Sequence, residues 1–261
     1  MVSVNLAKLG PMDTLLTAHY GKRCSTCVLA HFCLPAGIAT EDVPKVDVMV
    51  KDRMHLKKGE YLYRQGEEFS SIFSVRFGSI MTEYFLANGR HQVMGFHLPG
   101  EVFGLDGIGD RFYQSDAITL EESEVCTIPF AGFQTLASQI PALQSQFNRI
   151  LSRELTQDRR HLLNLGSLHA IERLAGFVIN LSLRLAVRGH EDRQFILPMS
   201  RAEIASYLGV KIETISRTFT RFSDAGLIRI QQRHITLVDM GGLYEIASQA
   251  KPSYLCLSEA A

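Results

Sequence analysis

Charge of neither sign prevails in this sequence, which has 27 Lys and Arg against 27 Asp and Glu. Bulk electrostatics therefore names no partner, and any nucleic-acid contact must come from a local patch. No stretch approaches the roughly 18 consecutive apolar residues of a membrane span. The opening MVSVNLAKLGPMDTLL lacks a basic start, an apolar core and a small-residue cleavage site. It predicts no secretory signal, no membrane and a cytoplasmic location. Cysteine is scarce, five in 261 residues, which argues against a disulfide scaffold. Catalytic signatures are missing as well. There is no P-loop, no G-x-S-x-G, no H-E-x-x-H and no dinucleotide fingerprint, so nothing points to an enzyme. Internal repeats and low-complexity tracts are also absent. What remains is 46% apolar and 21% charged, a folded chain long enough for two modest domains.

The few cysteines are unevenly placed. Cys24, Cys27 and Cys33 crowd into RCSTCVLAHFC, and the other two are Cys126 and Cys256. Close spacing lowers the entropy cost of gathering thiolate ligands for a soft or borderline metal. Three ligands are one short for zinc or for most iron–sulfur clusters. Cys126, in EVCTIPF, is the better fourth ligand because it would tie the N-terminal arm to the domain that follows. Spacing alone leaves zinc and iron–sulfur open, and His19 and His31 are further candidate zinc ligands. Val28 to Phe32 are more apolar than a solvated loop needs.

Four segments follow from the patterning. Residues 1–45 form an irregular cysteine-rich arm. Residues 46–140 hold short apolar runs punctuated by glycines, with Asn88-Gly89 as a hairpin signal, and predict a β-roll of the jelly-roll type. Residues 141–166 have a heptad pattern through Gln144, Asn148, Leu151, Leu155, Asp158, Leu162 and Leu165, the mark of a dimerisation helix. Residues 167–261 begin with a second helix that stops at Gly189 and continue into a compact unit. The fold class is thus α+β: an N-terminal β-roll, a long dimerisation helix and a C-terminal winged helix-turn-helix.

The compact unit carries the clearest chemistry. In SRAEIASYLGVKIETISR, Ser200 and Glu203 fit a capping box, Ala205 and Gly209 are small where two helices cross, and a second helix spans about Ile212 to Asp224. QQRHITLVD reads as a wing strand. Over residues 200–235 there are six Lys or Arg against three Asp or Glu. Glu213, Ser216 and Arg217 share one face near the start of the second helix, where a helix-turn-helix meets base edges in the major groove. Lys211, Thr214 and Arg221 are better placed for phosphates.

Taken together, RCSTCVLAHFCLP, GFHLPGEVFGLDGIG, the region of Cys126 and YLGVKIETISR resemble the FNR family, oxygen-responsive regulators of the cyclic-AMP receptor protein superfamily. The resemblance covers nearly the whole chain. It implies a [4Fe–4S] cluster held by Cys24, Cys27, Cys33 and Cys126, degraded by oxygen. It also implies a homodimer that binds a two-fold symmetric DNA site with TTGAT-like halves, read by Glu213, Ser216 and Arg217, and contact with RNA polymerase. The alternative on the same fold is a structural zinc site on four cysteines with another signal. Two departures stand out. Gln114 precedes Ser115 where a cyclic-nucleotide site needs arginine after the Gly100-Glu101 turn, which disfavours a cyclic nucleotide. Arg90, in ANGRHQ, stands where the polymerase contact often has an acid. Asp158, between Leu155 and Leu162, would face its own copy across a dimer seam and weaken it by like-charge repulsion and desolvation.

Overall fold

The computed structural model describes residues 23–50 and 52–248. Eight of its strands form two antiparallel four-stranded sheets. One has the order β1 (Asp52–Leu56), β8 (Ser123–Pro129), β3 (Ser71–Phe77), β6 (Val102–Phe103). The other has β2 (Tyr61–Tyr63), β7 (Asp116–Thr119), β4 (Ile80–Phe85), β5 (His91–His97). Alternation along each strand divides two environments. Phe73, Val75 and Val125 point between the sheets, joining Tyr63, Phe103 and Tyr113 in one core. Ile72 and Ile128 point outward, yet they too are buried, because a second layer covers that face. This layer is the arm residue Leu34 with α1 (Val43–Met49), α2 (Phe130–Gln139) and the first half of α3 (Pro141–Ser167). The turn at Asn88-Gly89 forms as its composition dictates, with Gly89 at φ +80° and the Leu86 amide donating to the Arg90 carbonyl at 2.8 Å.

The helix α4 (Ala170–Ala186) follows, then β9 (Gln194–Ile196), α5 (Arg201–Tyr207), α6 (Ile212–Asp224), β10 (Ile228–Gln231), β11 (His234–Leu237) and α7 (Met240–Ser248). The wing is a three-stranded sheet of order β10-β11-β9. A third apolar cluster joins this unit to the β-roll: Met81, Val93, Phe96 and Leu98 pack with Leu174, Val178 and Ile204. Two short helices, α1 and α2, arise where the sequence pattern marks none, and the boundary expected after residue 45 falls inside α1. Pro44 starts α1, and burial of Val46 and Met49 under the arm holds it. Among the described residues, no helix is long and apolar enough to cross a membrane.

Candidate functional site

Two regions hold the residues that the sequence singles out. The first is a cavity on the outer face of the β1-β8-β3-β6 sheet. It is lined by Cys24, Cys27, Cys33 and Cys126 together with apolar side chains that include Leu29, Leu34, Val46 and Ile128. Strand pairing accounts for the place of Cys126. It sits opposite Arg53 of β1 on one side and Ser74 of β3 on the other. The arm reaches it through consecutive turns, in which the Ala30 amide donates to the Cys27 carbonyl at 3.1 Å and the Cys33 amide to the Leu29 carbonyl at 3.1 Å. These turns bury Leu29 and leave Val28 and Phe32 outward. Asp47 on α1 pins the first turn, accepting from the Cys24 amide and from Ser25 Oγ at 3.0 Å. Cys33 Sγ lies 3.1 Å from Ser74 Oγ, and Gln146 on α3 donates to the Cys33 carbonyl at 3.2 Å.

The electrostatics of these thiols follow from their burial. Burial pushes the Cys33 thiol up to about 12, against the opposing bond to Ser74. Cys24 is pushed up strongly by burial, then by its neighbours Cys33 and Asp47. Cys126 is also raised by burial, while Arg53 and Arg76 pull the other way. Such thiols become thiolates only when positive charge arrives, as metal binding supplies. Among the described residues, no three His, Cys, Asp or Glu side chains are gathered as a single metal ion requires. The four thiols line one largely apolar cavity. His31 is exposed and is not part of the lining; His19 and Cys256 lie outside the described residues. Asp47, Ser74, Arg53, Arg76 and Gln146 carry no sequence signal for this site. Only the strand register and the packing of α1 and α3 bring them there.

The second region is the helix-turn-helix. Ser200 Oγ accepts from the Glu203 amide at 3.2 Å, and the Glu203 carboxylate accepts in return from the Ser200 amide, closing the capping box. Gly209 takes φ +62°, and a Cβ there would stand 3.1 Å from Leu165 Cδ2. Ile215, Phe219 and Phe222 bury one face of α6. Its other face leaves Lys211, Glu213, Arg217 and Arg221 exposed, with Thr214 and Ser216 half-buried. Arg173 on α4 donates to the carbonyls of Leu165 at 2.7 Å, Leu168 at 2.9 Å and Leu208 at 2.8 Å, fixing the turn against α3.

The long helix divides into two halves. Leu143, Phe147 and Ile150 are buried beneath the arm, whereas Leu155 and Leu162 are 52% and 67% exposed. Leu151 and Asp158 are exposed on the same stretch. Leu165 behaves differently from the rest of the expected seam. It is half-buried against Gly209 of its own chain, because the helix-turn-helix folds back onto the end of α3. In the β-roll, Gln114 and Ser115 face an acid instead of an open phosphate cradle. Asp106 Oδ2 accepts from Ser115 Oγ at 2.7 Å and from the Gln114 amide at 3.2 Å. The Glu101 carboxylate does not bond to that region: its side-chain bonds run to the Leu98 amide of the preceding turn and to the arginines at the end of α4.

Comparison with known proteins matches this geometry. Residues 53–139 match the cyclic nucleotide-binding domain model and residues 172–246 the Crp-like helix-turn-helix domain model. The transcriptional regulatory protein btr of Bordetella pertussis is 43% identical, over 87% of this chain and 93% of its own. The transcriptional activator protein anr of Pseudomonas aeruginosa is 44% identical, over 83% and 88%. The fumarate and nitrate reduction regulatory protein of Escherichia coli is 35% identical, over 87% and 91%. Among solved structures, FixK2 from Bradyrhizobium japonicum superposes with a TM-score of 0.69 at 28% identity, covering 75% of this chain and 96% of that one.

Proposed function

The chain belongs to the FNR-type transcription regulators of the CRP/FNR family, and from that premise we propose that it senses oxygen through a [4Fe–4S] cluster held by Cys24, Cys27, Cys33 and Cys126. It is a DNA-binding regulator and not an enzyme. The observation that carries the oxygen-sensing reading is the convergence of all four thiols on one largely apolar cavity. When bound, the cluster supplies an oxygen-labile iron–sulfide core. Arg53 and Arg76 place positive charge beside Cys126 and so favour its thiolate. Gln146 holds the Cys33 backbone to α3, which supports a route from the arm to the dimerisation helix. In this reading the arm, fixed by the cluster, steadies α3 so that Leu151, Leu155 and Leu162 meet their copies in a homodimer. Glu213, Ser216 and Arg217 then read TTGAT-like half-sites, with Lys211, Thr214 and Arg221 on phosphates, to activate or repress genes.

A cyclic nucleotide is disfavoured. The Asp106 carboxylate bonded to Ser115 would repel a cyclic phosphate, and Tyr63 and Tyr113 stack at 3.9 Å within the space between the sheets. For RNA polymerase, the β4–β5 hairpin presents Tyr84, Phe85 and Leu86 to solvent beside Arg90. The deciding experiment purifies the protein without oxygen, assays iron and acid-labile sulfide, and then admits air while absorbance and oligomeric size are followed. About four iron and four sulfide per chain, a colour lost in air and a shift from dimer to monomer are expected. A colourless protein with about one zinc per chain, unchanged in air, would overturn the reading and make the cysteines a structural clip.

A further inference from the structure

Glu101 follows the positive-φ glycine of the Leu98–Glu101 turn, and its carboxylate gathers both arginines at the end of α4. Oε1 accepts from Arg184 Nε at 3.0 Å and from Arg188 Nη2 at 2.8 Å. Oε2 accepts from the Leu98 amide at 2.9 Å and from Arg184 Nη2. The same arginines donate to carbonyls of the β-roll, Arg184 to Phe96 and Arg188 to Pro99. The cysteine arm presses on this turn from outside. A Cβ on Gly100 would stand 3.1 Å from Phe32 Cβ and 3.6 Å from Leu29 Cβ. The Arg188 guanidinium lies 5.7 Å from the centre of the Phe32 ring. Leu29 and Phe32 both lie between Cys27 and Cys33.

The other end of α4 serves the DNA-binding unit, through Arg173 and the Leu208 carbonyl at 2.8 Å. The unit also meets the β-roll directly. The Val93 amide of β5 donates to Ser206 Oγ of α5 at 3.0 Å, and Gln92 donates to the Ser206 carbonyl. Phe96 and Tyr207 pack with ring centres 5.3 Å apart, and Tyr207 stacks on His161 of α3 at 4.1 Å. The clamp and the docking surface therefore lie on one strand and the turn that follows it.

We infer that Glu101 is a positioning residue for DNA binding: it locks α4, and the helix-turn-helix that α4 carries, onto the β-roll beneath the cysteine arm. The arm thereby gains a route to the DNA-binding unit inside a single chain, separate from the dimer seam. A carboxylate shared by two guanidinium forks fixes geometry more tightly than apolar packing alone. Phe32 covers one of those forks, so a shift of the arm alters the hydration and strength of the pair. Two recognition helices must stand about one DNA turn apart, so a loosened unit binds less well. The arm's signal rests on the function proposed above, whereas the clamp itself rests on the fold.

The test compares the parent full-length protein with Glu101→Gln, both prepared without oxygen. It measures iron content, dimer mass, binding to a duplex with two TTGAT half-sites, and backbone amide exchange. The variant is expected to keep its iron and its mass while binding the duplex about fivefold or more weakly, the low end of site-to-site coupling. Exchange of the Val93 amide should quicken on the order of tenfold, since that amide reports the docking contact. Should Glu101→Gln fail to fold, Arg188→Lys, which keeps the charge but loses the fork, serves the same readouts. Duplex binding within about twofold of the parent, tighter binding, or an unchanged Val93 amide would each overturn the inference. If the parent carries no iron and Glu101→Gln still differs from it in both readouts, the cluster reading falls and the clamp stands.

Discussion

Arg217 and Lys211 lie six residues apart at one exposed helix end, yet their expected effects differ in kind. On the proposed reading, in which Arg217 meets a base edge, Arg217→Ala should cost about 1–3 kcal/mol and relax base preference at one position. Lys211→Ala should weaken all sequences alike and lower the salt slope by about one, as expected for a phosphate contact. Titration of duplex binding against salt, with matched and mismatched half-sites, separates the two. The buried pair around Glu101 makes a different prediction at this scale. Burial opposes ionisation, but Arg184 and Arg188 outweigh it and hold Glu101 down to about 2. Its contribution is present above the ordinary value of 4.5 and is lost as pH falls toward 2. On linkage grounds it is on the order of 3 kcal/mol at neutral pH. His97, held down to about 4 by burial, acts in the same direction. The unfolded chain takes up that proton first, so stability is lost from about pH 6.5 downward. Urea midpoints should therefore fall from pH 7 to pH 3, and Glu101→Gln should flatten the part of the fall below pH 4.5.

Among the elements, α3 is the one whose two halves differ most. Its N-terminal half is anchored by Leu143 and Phe147, while its C-terminal half exposes Leu155 and Leu162 with no apolar cover. Asp158 sits among those leucines, and Glu154 lies one turn before it. Burial pushes the Glu154 carboxyl up to about 7, with the charges of Glu101 and Asp158 adding and Arg184 opposing. Glu154 thus faces its own chain, whereas in a parallel homodimer Asp158 would meet its copy across the two-fold axis and repel it. Asp158→Ala should therefore tighten the dimer of cluster-free protein. Sedimentation of air-treated parent and variant measures the effect. A variant as monomeric as the parent would exclude Asp158 from the seam.

Across the whole molecule, three apolar clusters set the path of any signal. One lies between the sheets. A second joins the arm to α3 through Leu34, Leu143 and Phe147, and a third joins the β4–β5 hairpin to the DNA-binding unit through Val93, Phe96 and Leu174. The arm therefore touches the long helix on one side and the Leu98–Glu101 turn on the other. Loss of the arm's contacts is expected to reach both the dimer seam and the helix-turn-helix, and the Glu101 experiment distinguishes the two routes.

The sequence by itself determined the local features, because their signals are short-range. Ser200 and Glu203 close a cap across three residues, Gly209 and Gly89 supply positive φ, and the apolar spacing of α6 selects its buried face. These are enough to establish a helix-turn-helix behind a β-roll. The spacing of Cys24, Cys27 and Cys33 likewise marks a cysteine-rich arm without structural help. Only the tertiary structure decided which distant groups meet. Cys126 reaches the arm because β8 pairs with β1 and β3 in one register. Leu165, on the heptad pattern, packs instead on its own chain's Gly209, since periodicity records a face of a helix and not what covers it. Glu101 is more than 80 residues from both Arg184 and Arg188, and no local pattern announces a buried charge whose partners arrive only when two domains fold together.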